Sequence, residues 1–124
     1  MQPTRPVRVV LADMPGVGRS ALTALLGELP DVDLVADVED AEQVVPTVLA
    51  ERPDVVVVDD RMLRDQRWTA AELGARLIVV GVDDDPGFLA RAQRLGAEAW
   101  IPKDRADAVL PVRLAAPALV SPRV

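Results

Sequence analysis

The 124-residue chain contains no cysteine and no histidine. The absence of cysteine excludes disulfides and thiolate nucleophiles, and the absence of both residue types excludes Cys/His zinc sites. Without histidine the chain can form no Ser/His/Asp triad and cannot be a phosphohistidine donor. These classes of chemistry are therefore excluded before any motif is considered.

Long hydrophobic runs and clustered positive charge are also missing. No apolar run reaches the roughly 20 residues that span a bilayer, and residues 1–6 lack the apolar core of a signal peptide. We therefore expect a cytosolic protein without a membrane contact. The formal net charge of -6 argues against a nucleic-acid surface, because phosphate binding needs clustered Lys and Arg. The length and the 50% hydrophobic content predict one compact domain.

Five segments have the composition of strands. Three of them, residues 7–12, 55–58 and 77–82, are nearly continuous apolar runs, which is typical of central parallel strands covered on both faces. Residues 31–38 mostly alternate, which predicts an edge strand with Val32, Leu34, Ala36 and Val38 on one face. Residues 98–101 are bounded by Pro102, which also favours an edge position.

Helical spacing of apolar residues separates these strands. Residues 21–29, 41–49 and 88–95 each carry one apolar face. The last of these is framed by Asp85 as N-cap, Pro86 at the first helical position and Gly96 after the end.

Two further segments are weaker helix predictions. Residues 63–74 leave room for only a short helix, and a last helix from about Asp104 contains Pro111, which we expect to break it. The resulting order is βα repeated five times. It predicts a flavodoxin-like, doubly wound α/β fold with a parallel sheet of strand order 2-1-3-4-5.

Ligands bind such sheets outside the carboxyl ends of the strands, so the residues that end each strand are the candidates for a site. They are Asp13, the pair Asp59 and Asp60, Gly81 with the acidic run at residues 83–85, and Lys103. Oxygen ligands beside an ammonium group suit a hard cation next to a phosphoryl group. We interpret residues 83–85 as a solvated turn and helix cap, and Asp13 and Asp59 as functional, because an unpaired carboxylate after a buried strand is costly.

Three stretches resemble one family. LADMPGVGR at residues 11–19 is similar to the opening LADDHPLVR of response-regulator receiver domains, and RPDVVVVDDRM at residues 52–62 to their phosphoacceptor strand. GAEAWIPKD at residues 96–104 is similar to their closing GASGYLLKD. Three stretches in this order and spacing resemble bacterial two-component receivers of the LuxR/NarL type, whose role is signal reception rather than catalysis.

The resemblance implies specific roles. Asp59 matches the aspartate that accepts a phosphoryl group, and Lys103 the lysine that contacts this group. Asp13 matches one of two acidic residues that, with the phosphoacceptor aspartate, hold Mg²⁺. Trp100 falls at the position of the switch aromatic, although a core aromatic on a short strand is an equally good interpretation.

The chain also departs from the family pattern. Met14 replaces the second acidic ligand, and a thioether is a poor partner for Mg²⁺, so we expect weak Mg²⁺ binding. Gly81 replaces the Thr or Ser that hydrogen-bonds the phosphoryl group. The stretch between Asp59 and Gly81 is several residues shorter than usual, and Leu63 replaces a proline. These changes predict an atypical receiver with weak or absent aspartyl phosphorylation.

The resemblance further implies a domain arrangement and partners. We expect a receiver at residues 1–117, and residues 118–124 resemble the start of a linker to a helix-turn-helix domain that this chain lacks, although an ordinary tail fits them equally well. DNA binding would occur only through that missing domain. The expected partners are a second copy or a related regulator, and a sensor histidine kinase. Pro111 directs the predicted dimer contact to the first helix or to the fourth-helix side.

Two alternatives remain open. DMPGVGRS at residues 13–20 nearly matches a P-loop, which would indicate a nucleotide-binding protein, but Asp13 stands at the first glycine position and Arg19 at the lysine. A degenerate receiver that senses a small molecule would keep the fold, with Met14, Gly81 and Val82 making its pocket more apolar and roomier.

Overall fold

The computed structural model describes residues 5–82 and 87–115. Five strands form one parallel sheet in the order β2-β1-β3-β4-β5, which confirms the predicted flavodoxin-like topology. The strands are β1 (Val7–Ala12), β2 (Val32–Val38), β3 (Val55–Asp59), β4 (Arg76–Gly81) and β5 (Ala99–Pro102). As the composition predicts, β1, β3 and β4 are central and β2 and β5 form the edges.

Helices cover both faces of the sheet. They are α1 (Val17–Glu28), α2 (Val44–Glu51), α3 (Ala70–Leu73), α4 (Phe88–Arg94) and α5 (Ala106–Ala115). Buried residues of α1 and α5 pack on one face of the sheet, and those of α2 and α4 pack on the other. Three short 3-10 turns complete the order: residues 41–43 precede α2, residues 60–62 follow β3, and residues 103–105 follow β5. None of the described helices is long and apolar enough to cross a membrane.

The edge strand β2 differs from its predicted pattern. Its register against β1 shifts between Val9 and Val10, so that Val9 pairs with Leu34 but Val10 pairs with Ala36. The extra residue is Val35. Because side chains alternate in a strand, one inserted residue moves all later side chains to the other face. Leu34 accordingly packs with the α1 and α5 core, whereas Ala36 packs with the α2 and α4 core, and the prediction of one shared face is wrong.

The last helix also corrects a prediction. Pro111 lies inside α5, and the helix continues to Ala115. Proline removes one backbone hydrogen bond. The neighbouring Leu110 and Leu114 are fully buried against the sheet, and their burial offsets that loss.

The remaining helix predictions concern α3 and the two ends of α4. The short helix predicted within residues 63–74 is a single turn, α3, whose N-cap Thr69 forms a capping box with Glu72. Gly96 follows α4 with φ 83°, as the predicted glycine after a helix end requires. The predicted N-cap Asp85 and helix start at Pro86 lie outside the described residues, as do residues 118–124.

Candidate functional site

Three predicted site residues come together at the carboxyl ends of the strands. Asp13 follows β1, Asp59 ends β3 and Lys103 follows β5. The side chains of Asp13 and Asp59 are almost completely buried. Lys103 Nζ lies 3.2 Å from Asp13 Oδ1 and 3.1 Å from Asp13 Oδ2, and it also pairs with Asp59 Oδ2. The structure thus brings the three side chains into one pocket.

A fourth residue of this pocket, Arg61, is not anticipated by the sequence interpretation. Its Nε lies 3.1 Å from Asp59 Oδ1, and its Nη2 lies 3.2 Å from Asp59 Oδ2 and 3.5 Å from Asp13 Oδ1. Its backbone N–H donates to Asp59 Oδ1 at 2.7 Å. The available signal is its position, since a residue two places after a strand-ending aspartate lies in the turn that this carboxylate caps.

The pocket is electrically balanced by its own side chains. Two carboxylates, Asp13 and Asp59, face two cations, Arg61 and Lys103. Burial raises the pKa of Asp13, and the neighbouring Asp59 carboxylate raises it further. Burial also acts to raise the pKa of Asp59, but hydrogen bonds from Arg61 and Lys103 outweigh it and lower this pKa. Asp59 is therefore the more firmly ionised of the two carboxylates.

The donor set does not fit a tight Mg²⁺ site. Met14 presents only its backbone N–H to the pocket, donating to Asp13 Oδ1 at 2.8 Å, while its side chain is 42% exposed. No group of three carboxylates that could hold a metal ion occurs among residues 5–82 and 87–115. The guanidinium of Arg61 already contacts the two carboxylates that would serve as ligands. A hard cation would have to displace it and complete its shell with water.

Gly81 is packed tightly against its neighbours. A Cβ atom placed there would lie 3.0 Å from Asp60 Cβ and 3.2 Å from Phe88 Cε1. The side chain of Phe88, which is 2% exposed, thus fills the space beside the glycine. The prediction of a roomier pocket is wrong at this position, because the missing side chain is replaced by an aromatic ring from α4.

Asp60, adjacent to Asp59, faces a different partner. Arg91 of α4 donates to it in a bidentate pair, with Nε 2.7 Å from Oδ1 and Nη2 2.5 Å from Oδ2. Both side chains are largely buried, with exposures of 4% for Asp60 and 17% for Arg91. This ion pair fastens α4 to the end of β3 and takes Asp60 away from the pocket.

Trp100, the predicted switch position, lies on β5 and is 43% exposed. Its ring meets Phe88 edge to face, with centroids 5.4 Å apart and an interplanar angle of 74°. Trp100 is therefore linked to Gly81 through Phe88. The interpretation as a purely core aromatic does not describe it.

The structure argues against the P-loop alternative, because the basic residue of the motif is already paired. Arg19, which stands at the lysine position of that motif, pairs with Asp37 at 2.9 Å and with Glu39 at 3.5 Å. Its side chain is thus engaged by β2 and the residue after it, which leaves no cation of this motif for a phosphate. The acidic run at residues 83–85 lies outside the described residues.

Comparisons with known proteins agree with this fold. No protein-family model matches the chain. It is 29% identical over 104 residues to a probable transcriptional regulatory protein NarL of Mycobacterium tuberculosis, covering 79% of this chain and 48% of that protein. It is 27% identical over 104 residues to a protein-glutamate methylesterase/protein-glutamine glutaminase of Geobacter sulfurreducens, covering 80% of this chain and 28% of that protein. The chain therefore spans less than half the length of either relative.

A solved structure shows the same architecture. The signal receiver domain of the putative response regulator NarL from M. tuberculosis superposes with a TM-score of 0.74 at 22% identity, covering 90% of this chain and 94% of that one. The resemblance to receiver domains of LuxR/NarL-type response regulators is thereby confirmed.

Proposed function

We propose that the chain is the signal-receiving module of a transcription regulator in which aspartyl phosphorylation is weak or absent. The observation that carries the proposal is the closed set of ion pairs around Asp59. Arg61 and Lys103 together engage Asp59 and Asp13, so that each carboxylate already has a cationic partner. Weak Mg²⁺ binding follows, because an incoming cation must compete with a side chain that is covalently held beside the site.

The second step of an ordinary phosphorylation response is also unsupported here. A phosphoryl group on Asp59 would meet Lys103, but Gly81 offers no hydroxyl to bind it. The space beside Gly81 belongs to Phe88, which in turn contacts Trp100. A modification without differential contacts in two states cannot shift their populations. Trp100 therefore needs another trigger.

Regulation in this proposal acts through association. Receiver modules that pair can place two DNA-binding domains on two half-sites. The fourth-helix side carries large exposed apolar residues, namely Val82, Leu89 and Trp100. These residues support a dimer contact on the fourth-helix side, with a second copy or with a related regulator. The exposed Val17 supports the alternative contact on the first helix.

The wider protein is part of the same proposal. Residues 1–117 would form the receiver and residues 118–124 the start of a linker to a helix-turn-helix domain, through which alone the protein would contact DNA. A sensor histidine kinase would be a partner of the module, and the chain itself would catalyse no reaction. The regulator named among the relatives supports this arrangement, since it is about twice as long as the matched region.

The test compares the wild type with Met14→Asp, Arg61→Gln and the double variant. We expect each change to tighten Mg²⁺ binding, the first by adding a carboxylate ligand and the second by removing the competing guanidinium. Labelling by acetyl phosphate should be slow in the wild type and fastest in the double variant. Asp59→Asn in each background is the control that assigns the label to Asp59.

Two results would contradict the proposal. The first is rapid labelling of wild-type Asp59, together with phosphate-dependent dimerisation in light scattering. The second is Mg²⁺ binding by the wild type that neither substitution strengthens. A monomer at all concentrations, in this chain and in a longer protein with or without DNA, would remove the dimerisation part.

A further inference from the structure

A second cleft shares no lining residue with the pocket around Asp13 and Asp59. The helix α3 has only four residues, and residues 63–69, which lead to it from the turn after β3, form neither helix nor strand. A cavity of about 350 Å³ lies between this segment and the C-terminal end of α4. Its walls are formed by Arg64, Asp65, Gln66, Arg67, Thr69, Arg94 and Leu95.

The charge of this cleft contrasts with that of the chain. Three arginines line it against one aspartate, in a chain whose formal net charge is -6. Within residues 5–82 and 87–115, the guanidinium groups of Arg67 and Arg94 make no ion pair and no hydrogen bond to a side chain or to the backbone. Both side chains line the cavity, and an anion bound there would meet two guanidinium groups whose donors are not engaged elsewhere in the described residues.

The walls of the cleft are held in place by hydrogen bonds. Trp68 Nε1 donates to Gln66 Oε1 at 2.8 Å, and Thr69 forms the capping box with Glu72. The backbone N–H of Ala70 donates to the carbonyl oxygen of Leu95 at 2.8 Å, which joins the segment to the end of α4. The backbone segment that carries Arg67 is therefore anchored to the end of α4, which carries Arg94.

We propose that this cleft binds a small molecule through a diphosphate group. Guanidinium groups bind phosphate oxygens in a bidentate manner, and several arginines around one cavity suit an anion of more than one charge. The volume is at the lower end of the range of about 300–1,000 Å³ found for small-molecule sites. It thus admits more than an isolated ion. Complementation of the α4 helix dipole would explain Arg94 in the last turn but gives no reason for Arg67.

The proposal is independent of the proposed function, since no residue of the cleft belongs to the ion-paired pocket. It is tested by calorimetric titration with pyrophosphate and, separately, with a nucleoside diphosphate. We compare the wild type with Arg67→Gln, Arg94→Gln and their double variant. Arg105→Gln, an exposed arginine outside the cleft, is the matched control. Circular dichroism shows whether each variant folds. If a glutamine substitution disturbs the fold, the variants Arg67→Lys and Arg94→Lys take its place, since they keep the positive charge but lose the planar guanidinium.

We expect saturable binding of at least one probe, weakened about tenfold by each glutamine substitution and weakened by added salt. Arg105→Gln should leave the affinity unchanged. The indole N–H signal of Trp68 in a nitrogen-proton correlation spectrum should shift on binding, whereas that of Trp100 should not. Equal affinity for the two probes would assign recognition to the phosphates alone, and tighter nucleotide binding would add the nucleoside. No saturable binding, or binding unchanged in the double variant, would overturn the proposal.

Discussion

Two adjacent aspartates at the end of β3 are both buried and each pairs with an arginine, but their surroundings differ. Asp59 is 1% exposed and pairs with Arg61, which is 49% exposed, and with Lys103. The side chain of Asp60 is 4% exposed and pairs with that of Arg91, which is 17% exposed. The first carboxylate is thus paired with a guanidinium that is half exposed to solvent. The second is sealed between β3 and α4.

The difference teaches that burial and pairing alone do not identify a functional carboxylate. What separates the two residues is the solvent access of the partner. A half-exposed guanidinium can leave Asp59 without opening the core, whereas Arg91 cannot leave Asp60 without leaving a buried charge unpaired. We therefore assign chemistry to Asp59 and fastening of α4 to Asp60.

The largest effect should come from breaking the sealed pair. Arg91→Leu leaves the carboxylate of Asp60 buried without its bidentate partner, and removal of one member of such a pair costs about 3–5 kcal/mol. Urea unfolding should show this loss in the free energy of unfolding. Arg94→Leu, in the same helix but exposed, should change it by less than about 0.5 kcal/mol.

A double-mutant cycle sharpens the assignment. The double variant with Asp60→Asn and Arg91→Leu removes both charges. Its loss in the free energy of unfolding should be smaller than the sum of the losses in the two single variants. Strict additivity would mean that Asp60 and Arg91 are not coupled and would contradict the fastening role.

The next effect concerns the packing beside Asp60. Gly81→Ala places a methyl group 3.0 Å from Asp60 Cβ and 3.2 Å from the ring of Phe88, and overpacking of this kind costs about 1–3 kcal/mol. Phe88→Leu in the same chain should recover part of the loss by making room. Gly27→Ala is the control, since no atom lies within 4 Å of its added methyl and it should stabilise α1. A neutral Gly81→Ala change would show that the packing beside Asp60 is loose.

Much of the fold follows from local sequence patterns. The continuous apolar runs of β1, β3 and β4 locate the central strands, and the polar ends of those strands locate the pocket. The bulge at Val35 could not be predicted, because the register of β2 depends on its partner strand rather than on its own alternation. The break predicted at Pro111 failed for a related reason, since tertiary burial outweighs local propensity there.

The site was only partly predictable for a similar physical reason. Asp13, Asp59 and Lys103 could be placed together because each ends a strand of a parallel sheet. Arg61 has a long side chain in a turn, and nothing local determines whether it folds back onto Asp59 or extends into water. Arg91 lies 31 residues from Asp60, and only the packing of α4 on β3 brings them together.

A smaller effect separates Asp13 from Asp59 by pH. The pKa of Asp13 is raised in the folded state, so folding favours its neutral form, and its contribution to stability is lost as pH rises through the folded pKa. Asp13→Asn should therefore be more stable than the wild type at neutral pH, with a gain that shrinks as the pH approaches 3.8, the ordinary pKa of an aspartate side chain. Asp59 has a lowered pKa, so Asp59→Asn should be less stable at neutral pH. Urea midpoints across this range measure both signs, and equal signs would contradict the assignment.

The smallest change in stability should come from the partner of Asp59. Arg61→Gln removes a half-exposed guanidinium, and pairs with such exposure contribute less than about 1 kcal/mol, because solvent screens them and Lys103 still faces both carboxylates. The same substitution should nevertheless strengthen Mg²⁺ binding, since it opens the place beside Asp13 and Asp59. Arg91→Gln should do the reverse, with a large loss of stability and no gain in Mg²⁺ affinity. If Arg61→Gln destabilised the fold as strongly as Arg91→Gln, the two aspartates would be equivalent structural anchors. The distinction between a pocket and a seal at the end of β3 would then disappear.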